Sequence, residues 1–275
     1  GGFFALFMPE SLSKTHKPCR LNLRLFHPDK IQTASASLLY LAPFDTLQVR
    51  TTFTRRKIAA DPGLTLLAAT RTGGMMRAPG DWGQLHSRYD TLLGANLNPG
   101  MPENRWMTLA RCRIWAIFQG YSRELAKDCL QNFTFSYDNA GRWRFHVPTS
   151  EGKYYVLDLI LMLSPRNNRI RLSITRPEAK HNRERMLSDD VPVTLIIRPD
   201  VEDRSFHDTV KAFTGPEADW PDKIGSHDTG FNFSLSTGHT LSMNIDPPGR
   251  FVHEPEWDYM VHRPLEATRG LDPAS

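Results

Sequence analysis

A two-residue hydrophobic period that returns along most of the chain is the strongest constraint on its fold. Leu21, Leu23 and Leu25 alternate with Arg20, Asn22 and Arg24. Successive strand side chains point to opposite faces, so the three leucines share one side of a strand. Leu47, Val49, Thr51 and Phe53 repeat the pattern, as do Cys112, Ile114, Ala116 and Phe118. Trp143, Phe145 and Val147 do the same just after the turn-forming residues Asp138, Asn139, Ala140 and Gly141, which marks a hairpin.

Two more pairings follow from turn chemistry. The run Tyr154 to Leu163 meets a turn at Ser164 to Asn168 and continues into Ile170, Leu172 and Ile174. Phe231, Phe233 and Leu235 pass through Thr237 and Gly238 into Leu241, Met243 and Ile245. Val193, Leu195 and Ile197 form a further strand. Helical periodicity is confined to short stretches, Ser122 to Leu130 and Phe206 to Phe213, while Asp81 to Asn104 and Glu178 to Asp190 read as long loops. The expected fold is all-β: a large antiparallel β-sandwich, supersandwich-like, with a few short helices.

Several function classes are excluded on composition and motif. No apolar stretch reaches the roughly 20 residues a membrane-spanning helix requires, and the opening Gly1 to Met8 lacks a basic flank and a small-residue cleavage site. Three widely spaced cysteines, Cys19, Cys112 and Cys129, fit no disulfide framework and point to a reducing, cytoplasmic setting. The formal charge of +4 is dispersed, because Arg142 and Arg144, and Arg169 and Arg171, alternate with apolar residues as on a solvated sheet face, so a nucleic-acid partner is not expected. There is no HExxH or short His-x-His pair for a metal and no GxxxxGK[ST] loop for a nucleotide, so neither metal nor cofactor is expected.

Residues 197–207, running from Ile197 through Arg198, Pro199, Asp200 and Arg204 to His207, resemble a segment of bacterial and archaeal amylo-α-1,6-glucosidases, the glycogen-debranching family. Tyr259, Glu266, Arg269, Gly270, Leu271 and Asp272 are similar to that family's junction between its sandwich and its helical barrel. The stretch Arg88, Tyr89, Asp90 to Asn98 and the strand Arg111 to Trp115 are also similar. The glycine-rich opening motif of many relatives is not evident, Gly1 to Phe4 being at most its remnant. The resemblance implies an N-terminal β-sandwich domain over 1–262, with 263–275 starting the linker to an absent (α/α)6 catalytic barrel. It implies α-glucan (glycogen, starch or maltodextrin) and that helical domain of the same polypeptide as partners. The paired carboxylates of glycoside hydrolysis would lie beyond Ser275, leaving this part non-catalytic. A free-standing α-glucan-binding module is the alternative.

The candidate glucan or interdomain contacts are Trp82, Trp106, Trp220 and Trp257, placed in loop-like surroundings where a flat ring can stack on sugar, together with Arg204, His207, Glu266 and Arg269. Trp143 is expected in the core instead. Asp200, Glu202 and Asp203, and Glu254, Glu256 and Asp258, are acidic clusters of the kind that supply an acid and a base, but surface carboxylates are more often solvated or ion-paired.

Overall fold

The computed structural model describes residues 17–40, 50–136, 140–178 and 184–273. Residues 1–49 and 50–275 form two separate compact units. The described part of the first is a hairpin of β1 (Lys17–Phe26) and β2 (Ile31–Tyr40), registered Lys17 to Tyr40 through Phe26 to Ile31.

The second unit is antiparallel in all its strand ladders among the described residues. One sheet has the order β12 (Ile170–Thr175), β11 (Tyr154–Leu163), β10 (Ala140–Pro148), β9 (Leu130–Ser136), β3 (Arg50–Thr54). Another has the order β13 (Thr194–Ser205), β7 (Arg105–Phe118), β6 (Thr91–Asn96), β5 (Met75–Pro79), β4 (Thr65–Ala69), with β8 (Tyr121–Glu124) paired to β7. These two sheets share one core, in which Trp143, Phe145 and Leu159 of the first meet Leu66, Met76 and Ile114 of the second. The sandwich expected from the alternating pattern is therefore present, and Trp143, Phe145 and Val147 are buried as a set. A third, three-stranded sheet of β14 (Ile224–His227), β15 (Gly230–Ser234) and β16 (Thr240–Asn244) has its own small core around Phe231, Phe233 and Leu235. The helices are short: α1 (Arg55–Ala60), α2 (Pro216–Asp219) and α3 (Pro264–Thr268).

The hairpins expected from turn chemistry form, β11 pairing with β12 and β15 with β16. Leu47, Val49, Asp138 and Asn139 lie outside the described residues, as does Gly1 to Met8.

Three local expectations are corrected. Ser122 to Leu130 is not helical: Gln119 and Gly120 both adopt positive φ, 48° and 76°, the geometry of a two-residue hairpin turn, and fold β8 back on β7. Phe206 to Phe213 holds a turn and only the start of a single 3-10 turn at Ala212–Thr214. Asp81 to Asn104 is not one loop, because β6 runs through it as an inner strand between β5 and β7. All six of its residues are buried, so no polar alternation betrays it.

Candidate functional site

Alternation in β7 decides what faces outward. Cys112, Ile114, Ala116 and Phe118 enter the core, which turns Arg111 and Arg113 to the other face of the sheet. β13 pairs with β7 so that Arg198 lies opposite Arg113 and Asp200 opposite Arg111, and residues opposite one another share a face. Three arginines gathered on one face repel, and Asp200 relieves this between the two on β7: it accepts from Arg111 Nε at 2.5 Å and from Arg113 Nη2 at 2.9 Å.

A segment over 249–263 then crosses in front of this face, tied to it by charge. Glu256 pairs with Arg198, Asp258 pairs with Arg111, and Arg263 Nη2 lies 3.5 Å from Glu202 Oε1. Glu202 Oε2 is in turn 2.7 Å from Arg204 Nη2. Between this strap, the outer face of β7 and β13 and the three-stranded sheet lies a cleft of about 940 Å³. The two acidic clusters singled out in the sequence thus come together on opposite walls of one cleft, with Asp200, Glu202, Glu256 and Asp258 all paired to arginine. Asp203 faces elsewhere, accepting from Trp106 Nε1 at 2.8 Å and from the Ser236 backbone at 2.8 Å.

The four tryptophans expected in loops separate, and Trp106 is not in a loop at all but the second residue of β7, opposite Ser205 of β13. Trp220 and Trp257 line the cleft and pack on each other with ring centroids 5.3 Å apart, and Trp220 is backed edge-on by the fully buried Phe233 at 5.5 Å. Both are half-buried. Trp106 is held by Asp203 and packs beside the small core. Trp82 is not in a loop-like exposed setting: it is 2 % exposed and lies edge-on to Trp143 at 5.0 Å, so its ring is closed to a ligand. The physical reason is that the turn over 80–83 folds inward onto the sandwich core, where Trp143 Nε1 donates to the Gly80 carbonyl at 2.9 Å.

The remaining candidates converge near Arg88 and Tyr89. Arg204 is buried and donates to the carbonyls of Arg88 at 2.7 Å and Asp208 at 2.9 Å, so it pins the turn after β13. His207 is exposed, and its ring meets Tyr89 and Phe206 edge-on at 6.0 and 5.0 Å. Glu266 of α3 is 1 % exposed and accepts from Ser87 Oγ at 2.6 Å, the Arg88 backbone at 2.9 Å and Arg269 Nη1 at 3.2 Å. Burial pushes its carboxyl up, but the donors from Ser87 and Arg88 and the Arg269 and Arg88 charges outweigh that and hold it below the usual carboxylate range. Arg269 also lies over the Tyr89 ring at 5.6 Å.

A partly buried set beside this cluster, centred on the buried Asp90, escaped the sequence reading. Asp90 accepts from Arg77 at 2.5 Å and from the backbones of His86 and Ser87 at 2.6 and 2.8 Å, while His86 Nε2 bonds Asp81 at 2.8 Å. Burial pushes Asp90 up, and the Asp81 hydrogen bond raises His86. The available signal was the close spacing of Asp81, His86 and Asp90 with Arg77, which matches no motif. Among the described residues no group of three His, Cys, Asp or Glu side chains is arranged to hold a metal, and no helix is long and apolar enough to cross a membrane.

A family model described as the N-terminal part of glycogen debranching enzyme matches residues 65–275, from the start of β4 onward and so including both the cleft and the Glu266 cluster. No curated protein and no solved structure matches the chain.

Proposed function

The chain belongs to the glycogen debranching enzyme N-terminal family, and from that premise we propose that it is a non-catalytic glucan-handling part of an amylo-α-1,6-glucosidase. In this reading it packs on a helical catalytic domain of the same polypeptide and supports hydrolysis of α-1,6-linked branch glucose there. The observation that carries it is the match over 65–275, well over half the chain. The state of the cleft carboxylates supports it. Glycoside hydrolysis requires one carboxyl group that holds a proton and a second free to act as base or nucleophile, roughly 5 to 10 Å apart. Here Asp200, Glu202, Glu256 and Asp258 are each committed to an ion pair with arginine.

In the same reading the C-terminal turn begins the link to the helical domain. Glu266 and Arg269 fasten residues 263–273 to the sandwich through Ser87 and Arg88. Reading the coding frame past the codon for Ser275 tests this directly: an open frame continuing into a long run of amphipathic helices that carry paired carboxylates is expected. A stop codon at that point would overturn the two-part enzyme and favour an independent α-glucan-binding module.

A further inference from the structure

We infer that the cleft receives a short extended segment of a partner polypeptide, which joins the sheet as an added antiparallel strand along the free edge of β13. The inference goes beyond glucan handling and does not depend on it.

β13 ends its sheet: β7 pairs with one side of it, and among the described residues no strand pairs with the other. In an antiparallel ladder alternate residues direct both backbone groups away from the partner strand. The orientation of β7 fixes which residues do so here. The Ile114 carbonyl accepts from the Leu125 amide at 2.8 Å, on the side of β7 that carries β8, so Ile114 turns its backbone groups away from β13. Ile197 lies opposite Ile114 and therefore turns its own N–H and C=O away from β7. By the same alternation Leu195 and Pro199 face outward too. Pro199 fits this, because proline has no N–H to give a ladder and is tolerated in an edge strand where that position faces outward. Among the described residues no backbone group pairs with this outward row.

The cleft follows the same edge. A cavity on one face of a sheet meets every second residue of a strand, whereas this one is lined by every residue from Leu195 to Glu202. The N–H and C=O groups of Leu195 and Ile197 and the C=O of Pro199 therefore open into it. Such an alternating row of donors and acceptors is the complement of extended polypeptide, and strand addition to a free edge is a recurring mode of peptide recognition. Side chains set the occupant's character. Leu195 and Ile197 pack on the sandwich core yet are only half-buried, so aliphatic side chains placed beside them would extend that core. The register shift between Asp200 and Val201 breaks the ladder beyond Pro199 and limits the template to residues 195–199.

Calorimetric titration of the 275-residue chain with a capped peptide, Lys-Val-Thr-Val-Thr-Val-Lys, tests the assignment. A valine opposite Ile197 shares its inward face and directs its own N–H at the Ile197 carbonyl. N-methylation of the valines is therefore expected to weaken binding by about tenfold or more, the loss of at least one net hydrogen bond. N-methylation of the threonines, whose N–H groups point away from β13, is expected to leave binding unchanged. Ile197→Pro removes one outward N–H without touching a bond to β7, and is also expected to weaken the parent peptide by about tenfold or more. Circular dichroism melts establish whether this variant folds; where it does not, the two methylated peptides decide. Hydrogen exchange followed by NMR should show the Leu195 and Ile197 amides slowing when peptide is added. Equal binding of the two methylated peptides, no added protection at those amides, or no binding at all overturns strand addition. Protection of Ile197 that rises with the concentration of the chain alone would give the edge to a second copy and overturn it as well. None of these outcomes bears on retention by glycogen, so the two readings fail separately.

Discussion

Ser87 donates its hydroxyl to Glu266 Oε1 across 2.6 Å, joining positions 179 residues apart in the chain. Both side chains are buried, and the same carboxylate oxygen also takes the Arg88 amide. Removing the carboxylate strands two donors away from water. Glu266→Ala is therefore expected to destabilise the chain by about 3 kcal/mol, since each unsatisfied buried donor costs roughly 1–3 kcal/mol. Urea denaturation measures it, and limited trypsin digestion should show faster cleavage after Arg269 as α3 loosens. A variant as stable as the parent would mean that the C-terminal turn is not anchored this way.

Trp82 and Trp143 make a matched pair for weighing one buried hydrogen bond. Both are core tryptophans in edge contact, but Trp143 Nε1 donates to the Gly80 carbonyl, whereas no protein group among the described residues accepts from Trp82 Nε1. Replacing either by Phe removes a similar volume. Trp143→Phe also leaves the Gly80 carbonyl without its partner, so it is expected to cost about 1–3 kcal/mol more than Trp82→Phe. Equal losses in chemical denaturation would remove the hydrogen bond from the account.

How far the sequence could be read is clearest from these same residues. Strands with one buried face announced themselves, as Trp143, Phe145 and Val147 did, because alternation is a local property of the chain. Inner strand β6 did not, since Thr91 to Asn96 is buried on both faces and carries no polar alternation. Trp82 was misplaced for the opposite reason: proline, glycine and aspartate around it signal a loop, and a loop sequence does not say which way its tryptophan turns. The gathering of Arg204, His207, Glu266 and Arg269 around Tyr89 was not legible at all from spacing, because it depends on contacts between segments more than a hundred residues apart.

The His86 and Asp81 pair gives a pH signature. The Asp81 hydrogen bond, against the opposing effects of burial and of Arg77, raises His86 above its ordinary value, with Asp90 also favouring the charged ring. A histidine raised by folding contributes stability that is fully present below its unfolded value of about 6.5 and is lost as pH climbs through the higher folded value. The thermal midpoint, followed from about pH 5 to about pH 9, should carry a fall above 6.5 that His86→Asn diminishes. Parallel profiles for parent and variant would show that the pair is not coupled to folding.

The central claim, a glucan-handling sandwich without hydrolytic chemistry of its own, is tested most directly by electrophoresis of the chain through native gels cast with and without glycogen, alongside an assay for glucose released from an α-1,6-branched dextrin. The account predicts clear retardation by glycogen and no glucose. Unchanged mobility, or glucose released by the chain alone, would contradict it.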